Sequence, residues 1–200
     1  MVTQSLKLGF LASGNGSSAR AIVDAAGAGT LAAEARLMVS NRRESPALAW
    51  AQALGVPGRH IASAADPDAA DARLAEAMTA AGVELIVLSG YLRQLGPRTL
   101  GAYQGRILNI HPGPLPRFGG HGMYGARVHA AVIAAGVAES AMVIHLVDAE
   151  YDRGPELARL TVPLAPGDTA ESLEARIKAL EPGFFVETLR RIADGSLPLP

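Results

Sequence analysis

Seven short apolar runs, at residues 6–12, 35–39, 59–62, 84–89, 106–110, 142–147 and 157–162, are separated for most of the chain by alanine-rich stretches of helical composition. A strand that reads as an unbroken apolar run is buried on both faces, which is the condition of a strand in a parallel sheet covered by helices. Helices are expected at residues 17–26, 46–54, 67–81, 127–135 and 169–192. Strands alternating with helices, joined by right-handed crossovers, give a single doubly wound, Rossmann-like α/β domain over residues 1–200. The sheet is expected to be mostly parallel, with an antiparallel C-terminal extension: the loop between residues 147 and 157 is too short to hold a crossover helix. Ligands of such sheets lie outside the carboxyl ends of the strands, so the residues just after each run matter most.

The first run stops at Ser13-Gly14-Asn15-Gly16-Ser17-Ser18 and a helical stretch follows. A glycine-rich turn that opens a helix lets an anion approach free amides at the positive end of the helix dipole. Gly14 and Gly16 fit the first two glycines of the dinucleotide fingerprint, but Ala19 stands at the third, and the second strand runs into Asn41-Arg42-Arg43 with no acidic residue at its end. A monophosphate fits better than a dinucleotide. The other reading is a tight turn with Ser17 as helix cap.

Asn109 and His111 stand two apart at the end of the fifth run, so their side chains leave on one face at the ligand edge. An amide beside an imidazole can stabilise an oxyanion and relay a proton; the other reading is a strand end before a proline-rich turn. The loop Asp148-Ala149-Glu150-Tyr151-Asp152-Arg153-Gly154-Pro155 offers carboxylates that can hold His111 charged, or is a solvated turn.

The chain has no cysteine, which excludes disulfides, thiolate metal sites and a cysteine nucleophile. A net charge of -1 without a long run of either sign argues for small-molecule substrates and against nucleic acid or a membrane surface. Met1 to Lys7 does not read as a targeting signal, so the expected compartment is the cytoplasm. His60, His121, His129 and His145 lack ligand spacing, and no metal is expected. His145 reads as a core histidine with a satisfied nitrogen in preference to a neighbour of Asp152, and Trp50 reads as core.

Together, Ser-Gly-Asn-Gly-Ser at 13–17, Ser89-Gly90-Tyr91-Leu92-Arg93-Gln94-Leu95, Leu108-Asn109-Ile110-His111-Pro112 with Leu115-Pro116, and Asp152-x-Gly154-Pro155 resemble the phosphoribosylglycinamide formyltransferases from about Lys7 to Asp194. The resemblance implies transfer of a formyl group from 10-formyltetrahydrofolate, a co-substrate, to the amine of glycinamide ribonucleotide in purine biosynthesis, without a metal and without a covalent enzyme intermediate. It implies Asn109, His111 and Asp152 as the catalytic trio, with Asp152 keeping His111 charged and ordering a water. Gly16, Ser17 and Ser18 would hold the substrate phosphate through backbone and hydroxyl donors, with Glu181 near the nucleotide. Leu92, Arg93, Gln94, Leu95, Ile107, Asn109 and Val147 would line the folate site. The N-terminal part would then serve the nucleotide and the C-terminal part the folate, in a monomer or homodimer.

Ser18 replaces an asparagine common in the family, Pro67 an arginine of some members and Arg153 a common glycine. The segment from Ser140 to His145 lacks the family's usual lead into its strand. The glycine-rich stretch 118–125 is expected to be a lid or a plain surface loop. The alternatives are a formyltetrahydrofolate hydrolase, which normally carries a domain before the first strand, and a non-catalytic folate or phosphate binding module.

Overall fold

The computed structural model describes residues 5–62 and 65–200; the first four residues of the N-terminal segment lie outside it. Seven strands form one sheet in the order β3-β2-β1-β4-β5-β6-β7. They are β1 Leu6–Leu11, β2 Ala33–Ser40, β3 Gly58–His60, β4 Leu85–Leu88, β5 Ile107–His111, β6 Glu139–Leu146 and β7 Glu156–Pro163. The first five run parallel, and β6 and β7 are antiparallel to their neighbours, as expected.

The helices are α1 Ser17–Gly27, α2 Pro46–Ala53, α3 Pro67–Ala80, α4 Pro97–Ala102, α5 Ala126–Ala134 and α6 Ala170–Ala193. Period-two alternation divides the strand side chains between two cores. Leu8, Phe10, Leu85, Val87, Leu108 and Ile110 face α1, α2, α5 and α6, whereas Leu11, Ile86, Leu88 and Ile107 face α3 and the end of α4. Burial on both sides is why these strands read as unbroken apolar runs.

Helix α4 was not expected from sequence. Its six residues, Pro-Arg-Thr-Leu-Gly-Ala, are too few to establish a period. A distant residue supplies its start: the buried Asp71 carboxylate on α3 accepts the amides of Arg98 at 2.8 Å and Thr99 at 3.2 Å. Trp50 is half-buried, not fully core, and the Arg20 guanidinium lies 5.0 Å from its ring centroid. A cation over the ring gives that exposed face a partner.

The strand order reverses between β1 and β4, because β2 lies on one side of β1 and β4 on the other. The loops after β1 and β4 therefore diverge to opposite faces and open a crevice at the carboxyl edge. The end of β5, next to β4, borders the same crevice.

Candidate active site

The antiparallel register of β5 and β6 sets Asn109 opposite His145 and His111 opposite Val143. Asn109 and His111 share the face of Ile107, as the two-residue spacing predicts. Asn109 Nδ2 donates to His145 Nε2 at 3.1 Å, and His145 Nδ1 donates to the Leu146 carbonyl at 2.9 Å. A carbonyl can only accept, so the Leu146 contact places a proton on Nδ1; Nε2, which faces both Asn109 and Asp152, accepts from the Asn109 amide in the neutral ring and donates to Asp152 in the charged one. One N–H of the Asn109 amide remains for another acceptor.

Asp152 reaches both histidines from the loop between β6 and β7. Its Oδ2 lies 3.4 Å from His111 Nδ1 and its Oδ1 lies 3.5 Å from His145 Nε2. His145 is thus a buried histidine with a satisfied nitrogen and also a neighbour of Asp152, which corrects the core-only expectation. The two-residue alternation placed it on the right face, but the partner came from the far end of a loop.

Asp152 adopts φ of 56°, in the left-handed region where Asp is among the few tolerated residues. Two residues on, a Cβ on Gly154 would stand 1.9 Å from the Leu146 carbonyl oxygen, so only glycine lets the loop pass back beside β6. The Gly120 amide donates to Asp152 Oδ2 at 3.0 Å, and His111 Nε2 donates to the Phe118 carbonyl at 2.8 Å. The first part of the glycine-rich stretch is therefore bonded to both members of the His111–Asp152 pair.

Burial drives the His111 pKa below its ordinary value, against the opposing pull of Asp152 and the Phe118 hydrogen bond. The carboxylate expected to keep this imidazole charged is present, but desolvation outweighs it. For Asp152, burial pushes upward, yet the His145 ring, the His111 ring and the Gly120 amide prevail and hold the carboxyl below its usual range.

At the first loop, Gly16 occupies the cap position of α1 with φ of 64°, and no side chain caps the helix. Ser17 is therefore the first helical residue and not its cap. The Ser18 hydroxyl is buried and donates to Glu181 at 2.7 Å, so it faces the C-terminal helix and not the loop's mouth. Burial raises the Glu181 pKa, and the Ser18 bond offsets this only in part. Ser89 Oγ accepts the Ala19 amide at 3.1 Å. The amides of Ser17 and Ser18 precede any intrahelical acceptor.

A groove of about 530 Å³ beside this loop is lined by Ser13, Gly14, Asn15, Arg42, Arg43, Glu44, Ser45 and Pro46. A second, more apolar cleft of about 690 Å³ runs between α3, the loop after β4 and the loop after β6. Gln94, Leu95 and Val147 line it, while Leu92 and Arg93 are exposed on the loop beside it and Ile107 is buried with Leu95 in the underlying core. Sequence reasoning missed Ile61, Asp71, Tyr91 and Leu100 in this lining. Tyr91 stood within the Ser89–Leu95 motif, but nothing local marked the α3 residues. Among the described residues no cluster of three or more His, Cys, Asp and Glu side chains has metal-binding geometry.

The sequence matches the formyl transferase family from residue 6 to residue 189. It is 32% identical to the phosphoribosylglycinamide formyltransferase of Escherichia coli K12, over 94% of this chain and 88% of that one. It is 36% identical to the chloroplastic phosphoribosylglycinamide formyltransferase of Vigna unguiculata over 94% of its own length, but spans 61% of that relative. The crystal structure of glycinamide ribonucleotide transformylase 1 from Symbiobacterium toebii superposes with a TM-score of 0.87 at 34% identity, covering 98% of this chain and 91% of that one. A formyltetrahydrofolate deformylase from Pseudomonas syringae shares the fold, with a TM-score of 0.83 at 20% identity.

Proposed function

The chain belongs to the formyl transferase family, and from that premise we propose that it transfers the formyl group of 10-formyltetrahydrofolate to the amine of glycinamide ribonucleotide, a step of purine biosynthesis. The observation that carries this reading is the convergence of Asn109, His111 and Asp152 on β5 and the loop after β6, a loop whose first residues, with Val147, also line the apolar cleft.

The apolar cleft suits the flat ring system of a reduced folate, with Leu95 and Val147 against its faces. The amides of Ser17 and Ser18 suit a phosphate at the start of α1. Glu181, beside Ser18, lies at the nucleotide end, so the C-terminal helix serves the nucleotide while residues 61–104 supply most of the folate cleft. The substrate amine adds to the formyl carbon and negative charge gathers on the former carbonyl oxygen. Asn109 offers its remaining N–H to that oxygen. Asp152, beside His111 Nδ1, orders a water that takes up the amine proton and passes it to the folate nitrogen as its bond to the formyl carbon breaks. A preorganised donor of this kind contributes about 2.7–4 kcal/mol to lowering the barrier. The protein works in the cytoplasm as a monomer or homodimer.

The test follows loss of 10-formyltetrahydrofolate with and without glycinamide ribonucleotide, for the wild type and Asp152→Asn. Nucleotide-dependent turnover that collapses in the variant supports the reading. Nucleotide-independent loss assigns a hydrolase, and no loss assigns a binding module.

A further inference from the structure

We propose that Ser13 is a positioning residue that couples the nucleotide and folate sites, an inference that rests on the functional reading above. Ser13 follows β1 and is 2% exposed. Its hydroxyl donates to Asn41 Oδ1 at 2.6 Å and accepts the Leu92 amide at 2.9 Å, while its own amide donates to the Gly90 carbonyl at 3.1 Å.

A hydroxyl has one proton and two lone pairs. The Leu92 amide occupies a lone pair, so the proton must point elsewhere, and Asn41 Oδ1 receives it. The rotor is thereby fixed from both ends. Asn41 ends at Arg42 and Arg43, which line the groove beside the first loop together with Ser13 itself. On the other side, Leu92 is 65% exposed. So little packing cannot fix an apolar side chain's position, and its backbone must do so through the bond to Ser13.

A second hydroxyl repeats the connection in the opposite direction, because Ser89, at the end of β4, accepts the Ala19 amide from the first turn of α1. The loop that would bind phosphate and the loop that would border folate are thus tied by side chain as well as by backbone. A shift of the first loop on nucleotide binding is carried to the Leu92 amide through the Ser13 hydroxyl, beside the Gly90 and Ser89 ties. Coupling of this sort is reciprocal between ligands.

The experiment is calorimetric titration with tetrahydrofolate, with and without saturating glycinamide ribonucleotide, on the wild type, Ser13→Ala, Ser13→Thr and Asn41→Ala. The wild type is expected to bind tetrahydrofolate at least about fivefold more tightly with nucleotide present. Ser13→Ala lowers that ratio, the Ser89 bond and the Ser13 main-chain bond to Gly90 remaining, Ser13→Thr restores it by returning the hydroxyl, and Asn41→Ala lowers it by freeing the rotor. A purely structural role would lower the melting temperature and leave the ratio unchanged. Should Ser13→Ala fail to fold, Asn41→Ala carries the same comparison. A wild-type ratio of one, or an equal ratio in wild type and variants, overturns the coupling while leaving the transferase reading intact. A wild type that binds neither compound overturns that reading and the coupling with it.

Discussion

Asn109 and His145 face each other across β5 and β6, with Asn109 Nδ2 donating to His145 Nε2 at 3.1 Å. The bond consumes one of the two amide protons of Asn109 and aims the other. Asn109→Ala removes the donor outright and is expected to lower kcat by about 10²–10³, with the nucleotide KM little changed. His145→Ala leaves the amide present but unaimed and should cost less. Steady-state kinetics of both variants check the order; a larger loss for His145→Ala contradicts it.

His111 titrates below its ordinary value because burial disfavours the imidazolium more than Asp152 favours it. In Asp152→Asn the favourable field is gone and burial is not, so the pKa falls further. Protonation of a buried neutral histidine also costs stability, and the sign follows. The unfolded state takes up the proton first as pH falls below about 6.5, and stability then declines until the folded state also protonates. NMR titration of the His111 ring in wild type and Asp152→Asn checks both directions. An upward shift in the variant refutes the assignment of Asp152 as its partner.

The strands and the longer helices were legible because burial on two faces and helical composition leave their marks within a few residues of sequence. So was the placement of Asn109 and His111, since a spacing of two on a strand admits only one arrangement. What escaped was set by partners distant in the chain. Asp71 starts α4 from 27 residues away, His145 meets Asp152 only through the fold of a loop, and Glu181 claims the Ser18 hydroxyl across 163 residues. Local pattern names the groups but not the competition between them. The same holds for charge on His111, where the carboxylate is visible in sequence and the burial that outweighs it is not.

Glu181 is held above its ordinary pKa by burial. A carboxyl whose folded pKa is raised contributes stability that is complete below the unfolded value and is lost as pH rises through the folded one. Glu181→Gln stays neutral and escapes that loss, so it should melt higher than wild type at pH 7, with the gap closing below pH 4.5. Each kcal/mol gained raises Tm by about 2–4 °C in a chain of this size. Thermal melts across pH read this directly, and the same variant should weaken nucleotide binding. A lower Tm at pH 7 would mean that the Ser18 bond outweighs the burial cost.

The Asp152 loop separates a chemical role from a conformational one. Asp152 holds φ of 56°, a region that Asn tolerates as well as Asp does, so Asp152→Asn should keep the loop in place and lose activity. Gly154→Ala does the reverse chemistry: every reacting group stays, but the new Cβ would fall 1.9 Å from the Leu146 carbonyl oxygen. The loop must move away from β6, which draws Asp152 from His111 and weakens the main-chain bond from Leu146 to Pro155. Gly154→Ala is expected to lose about 1–3 kcal/mol of stability together with most of kcat, whereas Asp152→Asn loses only the stability that its ionised carboxyl confers at neutral pH, a difference that closes as pH falls through the carboxylate range. Paired melting and turnover measurements distinguish the two. A Gly154→Ala protein with wild-type Tm and turnover would mean that the loop has slack the geometry denies, and that the position of Asp152 does not depend on the close passage at Gly154.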